Sequence, residues 1–142
     1  MRDGYGFDAQ TEDGKKQAVN PYLPGYEYVP DGEPRVFGDR VYIFGSHDTF
    51  GGSNFCTGDY VCWSAPVHSL GDWSYEGVIY SRLQDPLNAG GKMYMCAPDV
   101  QKGPDGRYYL YYEYDRAVIT SVAVCDLSLI HISEPTRLDV IS

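Results

Sequence analysis

Apolar and polar positions alternate over short distances in this chain, and turn residues separate the apolar runs. The run Val41 to Phe44 follows the turn Gly38-Asp39, and a Tyr-rich run follows Pro104-Asp105-Gly106. No stretch of the sequence holds the apolar period of an amphipathic helix over several turns. The pattern therefore predicts an all-β fold with tight turns. Strands are expected at 35–37, 40–45, 60–64, 73–80, 96–101, 107–114 and 117–125.

Two of the predicted hairpins resemble each other and indicate an internal repeat. Pro34-Arg35-Val36 and a Gly-Asp turn precede one apolar strand, and Pro98-Asp99-Val100 and an Asp-Gly turn precede another, 64 residues later. Blade repeats of β-propellers are about 40–50 residues long. A longer repeat fits if Asp85 to Lys92, which is rich in Gly, Asn and Pro, is an inserted loop.

The strand predicted at 107–114 is apolar on both of its faces. One face would carry Tyr108, Leu110, Tyr112 and Tyr114, and the other Tyr109, Tyr111 and Glu113. A strand that is half in water shows apolar residues on one face only. The pattern favours a sheet covered on both sides, as in a propeller, where each blade packs against two others.

The composition agrees with a single β domain. The 142 residues include 14 Tyr, 16 Gly and 9 Pro, which favour strands and turns over helices. The net charge is −9, and the 11 Lys and Arg residues are scattered among acidic ones. Nucleic acid and anionic membranes are therefore poor partners, because both are bound through clustered basic residues. No apolar run is long enough for a membrane span, and a neutral substrate fits the charge.

The four cysteines, Cys56, Cys62, Cys96 and Cys125, show no spacing typical of a zinc site or a redox pair. We interpret them as buried free thiols of a reducing compartment. Residues 1–19 are predicted to form a flexible polar lead-in, without the apolar core of a signal peptide. The chain as written is thus expected in the cytoplasm, and export stays open if its true start lies upstream.

Three acidic residues are candidates for chemistry. Asp31 and Glu33 lie in a Pro-Asp-Gly-Glu-Pro segment, where Gly and Pro restrict the backbone ahead of the first strand. Asp99 lies inside an apolar strand, and a carboxylate there is costly unless it is paired or functional. Glycoside hydrolysis requires two carboxyl groups, and either Asp31 or Glu33 could supply one. The competing interpretation is a solvated turn, because Pro-Asp-Gly is a strong turn sequence.

The triplet Ser46-His47-Asp48 and several aromatic residues are further candidates. Neighbouring residues of an extended chain point in opposite directions, so the triplet is not expected to act as one catalytic set. His47 and Asp48 are instead predicted to have separate roles at the end of their strand. Three aromatic residues could either stack on sugar rings or pack in a core, namely Trp63, Trp73 and Tyr75.

The order of these segments resembles the first part of glycoside hydrolase family 43. The residues that carry the resemblance are Asn20 to Gly25, Asp31 to Asp48, Cys62-Trp63-Ser64, Trp73, Cys96 to Val100 and Asp105 to Tyr112. The family is a five-bladed β-propeller that cleaves xylose- or arabinose-containing glycans with inversion, as β-xylosidases and α-L-arabinofuranosidases do. The resemblance implies that residues 20–126 form about two N-terminal blades of such a propeller.

Site residues follow from the same resemblance. Asp31 matches the position of the family's general base, while His47, Asp48 and Asp99 match positions near the central cavity. Together with Trp63, these last three are predicted to bind substrate or to support residues that do. The implied partner is an oligo- or polysaccharide. No cofactor is expected, although the resemblance allows a structural calcium ion at the propeller centre, for which the sequence shows no ligand set.

The sequence also departs from the family pattern. Cys96 stands where an aromatic residue usually precedes Ala-Pro-Asp. The family needs two further groups from later blades, an Asp that tunes the acid and a Glu that is the acid, and Glu113 is not a candidate because it lies mid-strand in an earlier blade. We therefore expect the 142-residue chain to be inactive. The alternative is a non-catalytic carbohydrate-binding or interaction module.

The end of the sequence is unlike the rest. Leu127 to Arg137 resembles the conceptual translation of a sequencing-adapter oligonucleotide, so residues 127–142 are predicted to be a non-native tail. The alternative is an edge strand, because apolar and polar residues alternate over 127–129. Two blades would leave one apolar face and several strand edges uncovered, and we expect the chain to self-associate through them.

Overall fold

The structure is a computed structural model that describes residues 20–115 and 117–125. The predicted lead-in at 1–19 and the predicted tail at 127–142 lie outside these residues. The described residues form seven strands, which confirms the all-β prediction and places every predicted strand within two residues of its observed bounds. The strands are β1 (Glu33–Phe37), β2 (Arg40–Gly45), β3 (Tyr60–Pro66), β4 (Ser74–Tyr80), β5 (Met95–Lys102), β6 (Tyr108–Tyr114) and β7 (Ala117–Cys125).

The strands form two antiparallel sheets in sequence order. Sheet 1 has the order β1-β2-β3-β4, and sheet 2 has the order β5-β6-β7. The hairpins β1-β2 and β5-β6 each begin a sheet, so the two similar hairpins of the sequence occupy equivalent places. Such consecutive up-and-down sheets are the blades of a β-propeller.

The segment predicted to be an inserted loop, Asp85 to Lys92, lies in the connection between the two sheets. It contains a single short 3-10 helix, Pro86–Asn88, which begins after Asp85. The Asp85 carboxylate accepts the Leu87 N–H at 2.8 Å, and so caps this turn. Within the described part of the chain, no helix has the length and apolar character to cross a membrane.

The main core lies between the two sheets. Because side chains alternate along a strand, one face of each sheet supplies it. Phe44 from sheet 1 and Leu110 from sheet 2 are both fully buried there. The other buried members are Tyr60, Cys62, Ile79, Tyr80, Met95, Val100, Tyr112, Tyr114, Ala123 and Cys125.

The opposite face of sheet 1 is covered by the segment that precedes it. Tyr22 packs on Trp73 with ring centroids 5.3 Å apart, and Glu27 accepts a hydrogen bond from the Trp63 indole at 3.2 Å. Gly45 has no room for a side chain, because Val29 lies directly against it. The N-terminal segment is therefore part of the folded unit and leads the chain along sheet 1 to the start of β1.

The opposite face of sheet 2 is open. Tyr111 is 37% exposed and Ile119 is 41% exposed, and Glu113 also lies on the surface. The prediction that both faces of the β6 strand are covered was therefore wrong for the described residues. The physical reason is that, among the described strands, only those of sheet 1 pack on sheet 2, so Leu110 and Tyr112 are buried while Tyr111 and Glu113 face outwards.

Candidate active site

An open cavity lies where the first strands of the two sheets meet. Its volume is about 450 Å³, and it is lined by Asp31, Glu33, Arg35, Ala97 and Asp99. Glu33 and Arg35 belong to β1, Asp31 lies just before it, and the other two residues belong to β5. The structure thus brings together the candidate carboxylates Asp31, Glu33 and Asp99, which the sequence separates by up to 68 positions.

Asp31 is held at the cavity by a left-handed backbone conformation. Its φ is 56°, in a turn where Asp is among the few residues other than Gly that adopt this region. The following Gly32 is required because a Cβ there would lie 2.9 Å from Ile43 Cγ2. The Asp31 side chain is exposed and has no hydrogen-bond partner among the described residues. Its carboxylate is therefore available to a bound molecule.

Ala97 has a second unusual backbone conformation at the same cavity. Its φ is 46°, and it lies where the pairing of β5 with β6 is irregular, between Cys96 and Asp99. Left-handed conformations of residues other than Gly store strain and are concentrated at functional sites. Two of them, at Asp31 and Ala97, line this one cavity.

Arg35 and Asp99 join the two sheets across the cavity. Arg35 Nε donates to Asp99 Oδ1 at 2.8 Å, and its Nη2 donates to Oδ2 at 2.7 Å. This two-pronged geometry is the strongest arrangement of an arginine and a carboxylate. Gln101 Nε2 also donates to Asp99 Oδ2 at 3.0 Å. Asp99, half-buried as a carboxylate in an apolar strand, is thus paired.

These contacts fix the charge state of Asp99. Partial burial opposes its ionisation, but the hydrogen bonds from Arg35 and Gln101 outweigh burial and hold the pKa of Asp99 below its ordinary value. The hydrogen bond to Asp99 in turn raises the pKa of Arg35. At neutral pH, Asp99 is therefore a carboxylate with both oxygens engaged, which cannot donate a proton to a leaving group.

His47 and Asp48 do not line the cavity. His47 Nε2 lies 3.4 Å from a carboxylate oxygen of Glu27, and Asp48 Oδ1 accepts the Cys56 N–H at 2.5 Å. Asp48 therefore anchors the loop that leads to Cys56. The two side chains point to different partners, as expected of neighbours on an extended chain. Their predicted roles in substrate binding stay predictions.

Trp63 packs on the outer face of sheet 1. It is 6% exposed, its ring centroid lies 5.1 Å from that of Tyr75, and its indole N–H donates to Glu27. Tyr75 itself is 49% exposed. Of this aromatic pair, Tyr75 presents a ring surface to solvent, whereas Trp63 supports it from below. The predicted role of Trp63 at the substrate stays a prediction.

Cys96 adjoins the cavity-lining Ala97. The Tyr60 hydroxyl donates to the Cys96 carbonyl at 2.8 Å, which ties sheet 1 to β5 beside the cavity. Burial, and then a hydrogen bond with Cys56, raise the pKa of the Cys96 thiol to about 12. Cys56, Cys62 and Cys125 are buried, and none of the four cysteines, all of which the structure describes, forms a disulfide. Cys96 is therefore protonated at neutral pH.

Asp85 is a buried carboxylate that sequence reasoning missed. It is 3% exposed and accepts hydrogen bonds of 2.5 Å from the hydroxyls of both Tyr112 and Tyr114. The Tyr80 hydroxyl lies 3.2 Å from that of Tyr112 and completes the group. Burial raises the pKa values of all three tyrosines, that of Tyr80 to about 12. These four residues, the tyrosine cluster, are sealed from solvent and serve the core.

Arg35 is the cavity residue that the sequence analysis did not single out. The repeat contained a signal for it, because Arg35 and Asp99 are 64 residues apart, the same offset that separates Pro34 from Pro98. The ion pair therefore joins equivalent positions of the two repeats.

No metal-binding cluster is found among the described residues. Residues 20–115 and 117–125 hold no group of three or more His, Cys, Asp or Glu that could bind an ion.

Comparison with known proteins finds a close relative of this chain. The chain is 63% identical over 112 residues to a protein named xylosidase/arabinosidase from Thermoclostridium stercorarium. The match covers 79% of this chain and 24% of the relative, so the chain spans about a quarter of the relative's length. No family model matches the chain.

Solved structures match the fold. A beta-xylosidase superposes with a TM-score of 0.62 at 22% identity, over 81% of this chain and 37% of that one. An exo-beta-1,3-galactanase from Clostridium thermocellum superposes with a TM-score of 0.61 at 17% identity, over 78% of this chain and 23% of that one. A beta-1,3-galactosidase of glycoside hydrolase family 43 superposes with a TM-score of 0.59 at 21% identity, over 90% of this chain and 35% of that one. The two sheets are thus folded as a part of a β-propeller.

The relative and the solved structures point the same way. The fold is that of propeller glycosidases, and the 63% identity is to a protein named for action on xylosides and arabinosides. The predicted resemblance to glycoside hydrolase family 43 is confirmed.

Proposed function

We propose that this chain supplies the general base of an inverting glycoside hydrolase that acts on xylose- or arabinose-containing glycans, and that Asp31 is this base. The observation that carries the proposal is the cavity, in which the exposed Asp31 carboxylate has no hydrogen-bond partner within residues 20–115 and 117–125. The sugar class rests on the name of the relative that is 63% identical over 112 residues.

The proposed chemistry requires Asp31 to act on water. Its carboxylate accepts a proton from a water molecule while the water oxygen attacks the anomeric carbon. The glycosidic bond breaks, and a carboxylic acid on the opposite side of the sugar protonates the leaving oxygen. In inverting enzymes the two carboxyl groups stand roughly 6.5–9.5 Å apart, which leaves room for the water.

The other carboxylates of the cavity suit the role of base less well. Both oxygens of Asp99 accept hydrogen bonds from Arg35, so a water molecule would have to displace a strong contact. Glu33 lies at the first position of β1, paired in register with Phe44, and lacks the restricted turn that fixes Asp31. Among the described residues that line the cavity, only Asp31 combines an exposed side chain with a left-handed backbone and a carboxylate that accepts no hydrogen bond from another described residue.

The 142-residue chain is proposed to be inactive by itself. The resemblance assigns the proton donor to later blades, and Asp99 is held ionised by Arg35. We expect no turnover of aryl β-xylosides or aryl α-L-arabinofuranosides by the purified chain. Robust turnover would contradict this part of the proposal.

A chimera tests the role of Asp31 in a complete protein. The 112 matching residues of the Thermoclostridium stercorarium relative are replaced by those of this chain. Asp31→Asn in the chimera is expected to lower kcat on aryl xylosides or arabinosides about 10²–10⁴-fold, because the water loses its proton acceptor. Asn tolerates the left-handed backbone at this position, so the melting temperature should not change.

Glu33→Gln is the matched control, because it removes a neighbouring carboxylate of the same cavity. We expect its kcat to stay within about tenfold of the parent chimera. Full activity of the Asp31→Asn chimera would contradict the proposal. So would a folded but inactive parent chimera, since the 63% identical segment would then lack the chemistry of the relative.

A further inference from the structure

The guanidinium of Arg35 is oriented by two hydrogen bonds to one carboxylate. Two of its five N–H groups are used by Asp99, through Nε and Nη2, and Gln101 holds the same carboxylate. The planar fork therefore has one orientation relative to β5. It is anchored at the cavity wall and does not sample the surface as an unpaired arginine would.

The remaining N–H groups of Arg35 have no acceptor in the part of the chain that the structure describes. No described residue accepts a hydrogen bond from Nη1 or from the second hydrogen of Nη2, and the side chain is 34% exposed. Since Arg35 lines the cavity, these donors are accessible from it. A guanidinium N–H contributes most to the free energy of binding when it is already oriented and the ligand supplies an oxygen acceptor.

The other polar side chains of the cavity are complementary to Arg35. Asp31 and Glu33 only accept hydrogen bonds when ionised, so Arg35 is the single side-chain donor among the five lining residues. A sugar ring carries hydroxyls that both donate and accept. Such a ligand matches a cavity with one oriented donor and two carboxylates that accept no hydrogen bond from a described residue, whereas an anionic ligand would be repelled by the carboxylates.

We propose that Arg35 is a substrate-binding residue, which donates hydrogen bonds from its free N–H groups to a hydroxyl of the sugar whose anomeric carbon faces Asp31. Asp99 is a positioning residue, which orients the guanidinium and does not itself touch the sugar. This inference rests on the proposed function for the placement of the sugar. It names Arg35 as a determinant of which hydroxyl pattern the site accepts.

The experiment uses the chimera and a set of aryl pentosides, in each of which one ring hydroxyl is replaced by hydrogen. The parent chimera should lose about 10- to 100-fold in kcat/KM on the analogue that lacks the hydroxyl bound by Arg35. Arg35→Met should lose a similar factor on the complete substrate. It should then show no further loss on that same analogue, because the hydrogen bond is already absent.

Arg40→Met is the matched control. Arg40 is a paired arginine of similar exposure, bonded to Ser64 and 3.7 Å from Glu76, but it does not line the cavity. The kcat/KM of the Arg40→Met chimera should equal that of the parent chimera on the complete substrate and on every analogue. Asp99→Asn should give an intermediate loss with the same analogue preference, since the guanidinium is kept but held less firmly.

Two results would overturn the inference. One is an Arg35→Met chimera with unchanged kcat/KM on all substrates. The other is a loss that is equal on every analogue, which would show that Arg35 only holds the two sheets together. Failure of the proposed function can be told apart from failure of this inference. In that case the Asp31→Asn chimera would keep its activity, while the Arg35→Met chimera would still have lost the parent's discrimination between the complete substrate and the analogue.

Discussion

Two aspartates of this protein, Asp31 and Asp85, have opposite surroundings. Asp31 lies at the cavity mouth, exposed, on a left-handed backbone and without a hydrogen-bond partner among the described residues. Asp85 is 3% exposed and accepts three hydrogen bonds, two of them from buried tyrosines. Burial of a carboxylate is tolerated only when its oxygens are satisfied. The difference indicates that Asp85 stabilises the fold, and it supports the proposal that Asp31 acts on a bound substrate.

Removal of Asp85 should have the largest effect on stability. Asp85→Ala leaves the Tyr112 and Tyr114 hydroxyls and the Leu87 N–H without their acceptor, and we expect a loss of about 3 kcal/mol or more. Asp31→Ala should change the free energy of unfolding by less than about 0.5 kcal/mol. Denaturant unfolding of both variants measures this, and equal losses would remove the distinction between the two aspartates.

The tyrosine cluster should make the fold sensitive to alkali. Burial raises the pKa values of Tyr80, Tyr112 and Tyr114, so the folded state keeps these hydroxyls neutral. Their contribution is complete below pH about 10, where unfolded tyrosine titrates, and is lost as the pH rises further. We expect a steep fall of stability above this pH, by about 1.4 kcal/mol per pH unit for each hydroxyl.

Tyr112→Phe sharpens this prediction. It removes one of the three hydroxyls. Above about pH 10, the free energy of unfolding should therefore fall less steeply, by about 1.4 kcal/mol per pH unit, which corresponds to one proton. Replacement of the exposed Tyr26 by Phe is the control and should leave the slope where it was. A wild-type stability that stays constant between pH 9 and about 12 would show that the cluster is not sealed.

Acid should lower the free energy of unfolding through Asp99, by a smaller amount than alkali lowers it through the tyrosine cluster. The pKa of Asp99 is lowered in the folded state, so its contribution is present above the ordinary aspartate pKa of about 4 and is lost as the pH falls through the folded value. Asp99→Asn should therefore be less stable than wild type at pH 7, and the two should approach each other as the pH falls through the lowered pKa of Asp99. A difference that is constant with pH would contradict an ionic role for Asp99.

The strands and their repeat could be predicted from the sequence because they depend on local pattern. Turn residues and apolar alternation defined all seven described strands, and the Pro34 and Pro98 segments proved to be the first strands of two sheets. Asp31 and Asp99 were both recognised as candidates, and the fold brings them to one cavity.

The remaining features depend on long-range contacts that no local pattern encodes. Asp85 lies in a Gly- and Asn-rich loop that is typical of an insertion, and its tyrosine partners are 27 and 29 residues away. The apolar second face of β6 predicted a covering sheet, but coverage depends on a neighbour and not on the strand itself. Arg35 is an isolated charge in a short strand, and only the register of the two repeats connects it with Asp99.

The most direct test of the central claim is chemical rescue of the Asp31→Asn chimera. With an aryl glycoside whose leaving group needs no protonation, azide can attack the anomeric carbon without a general base, displace the phenolate and form a glycosyl azide of inverted configuration. We predict that azide restores turnover to Asp31→Asn and leaves the parent chimera unaffected. No rescue, or equal acceleration of both proteins, would contradict the assignment of Asp31 as the base.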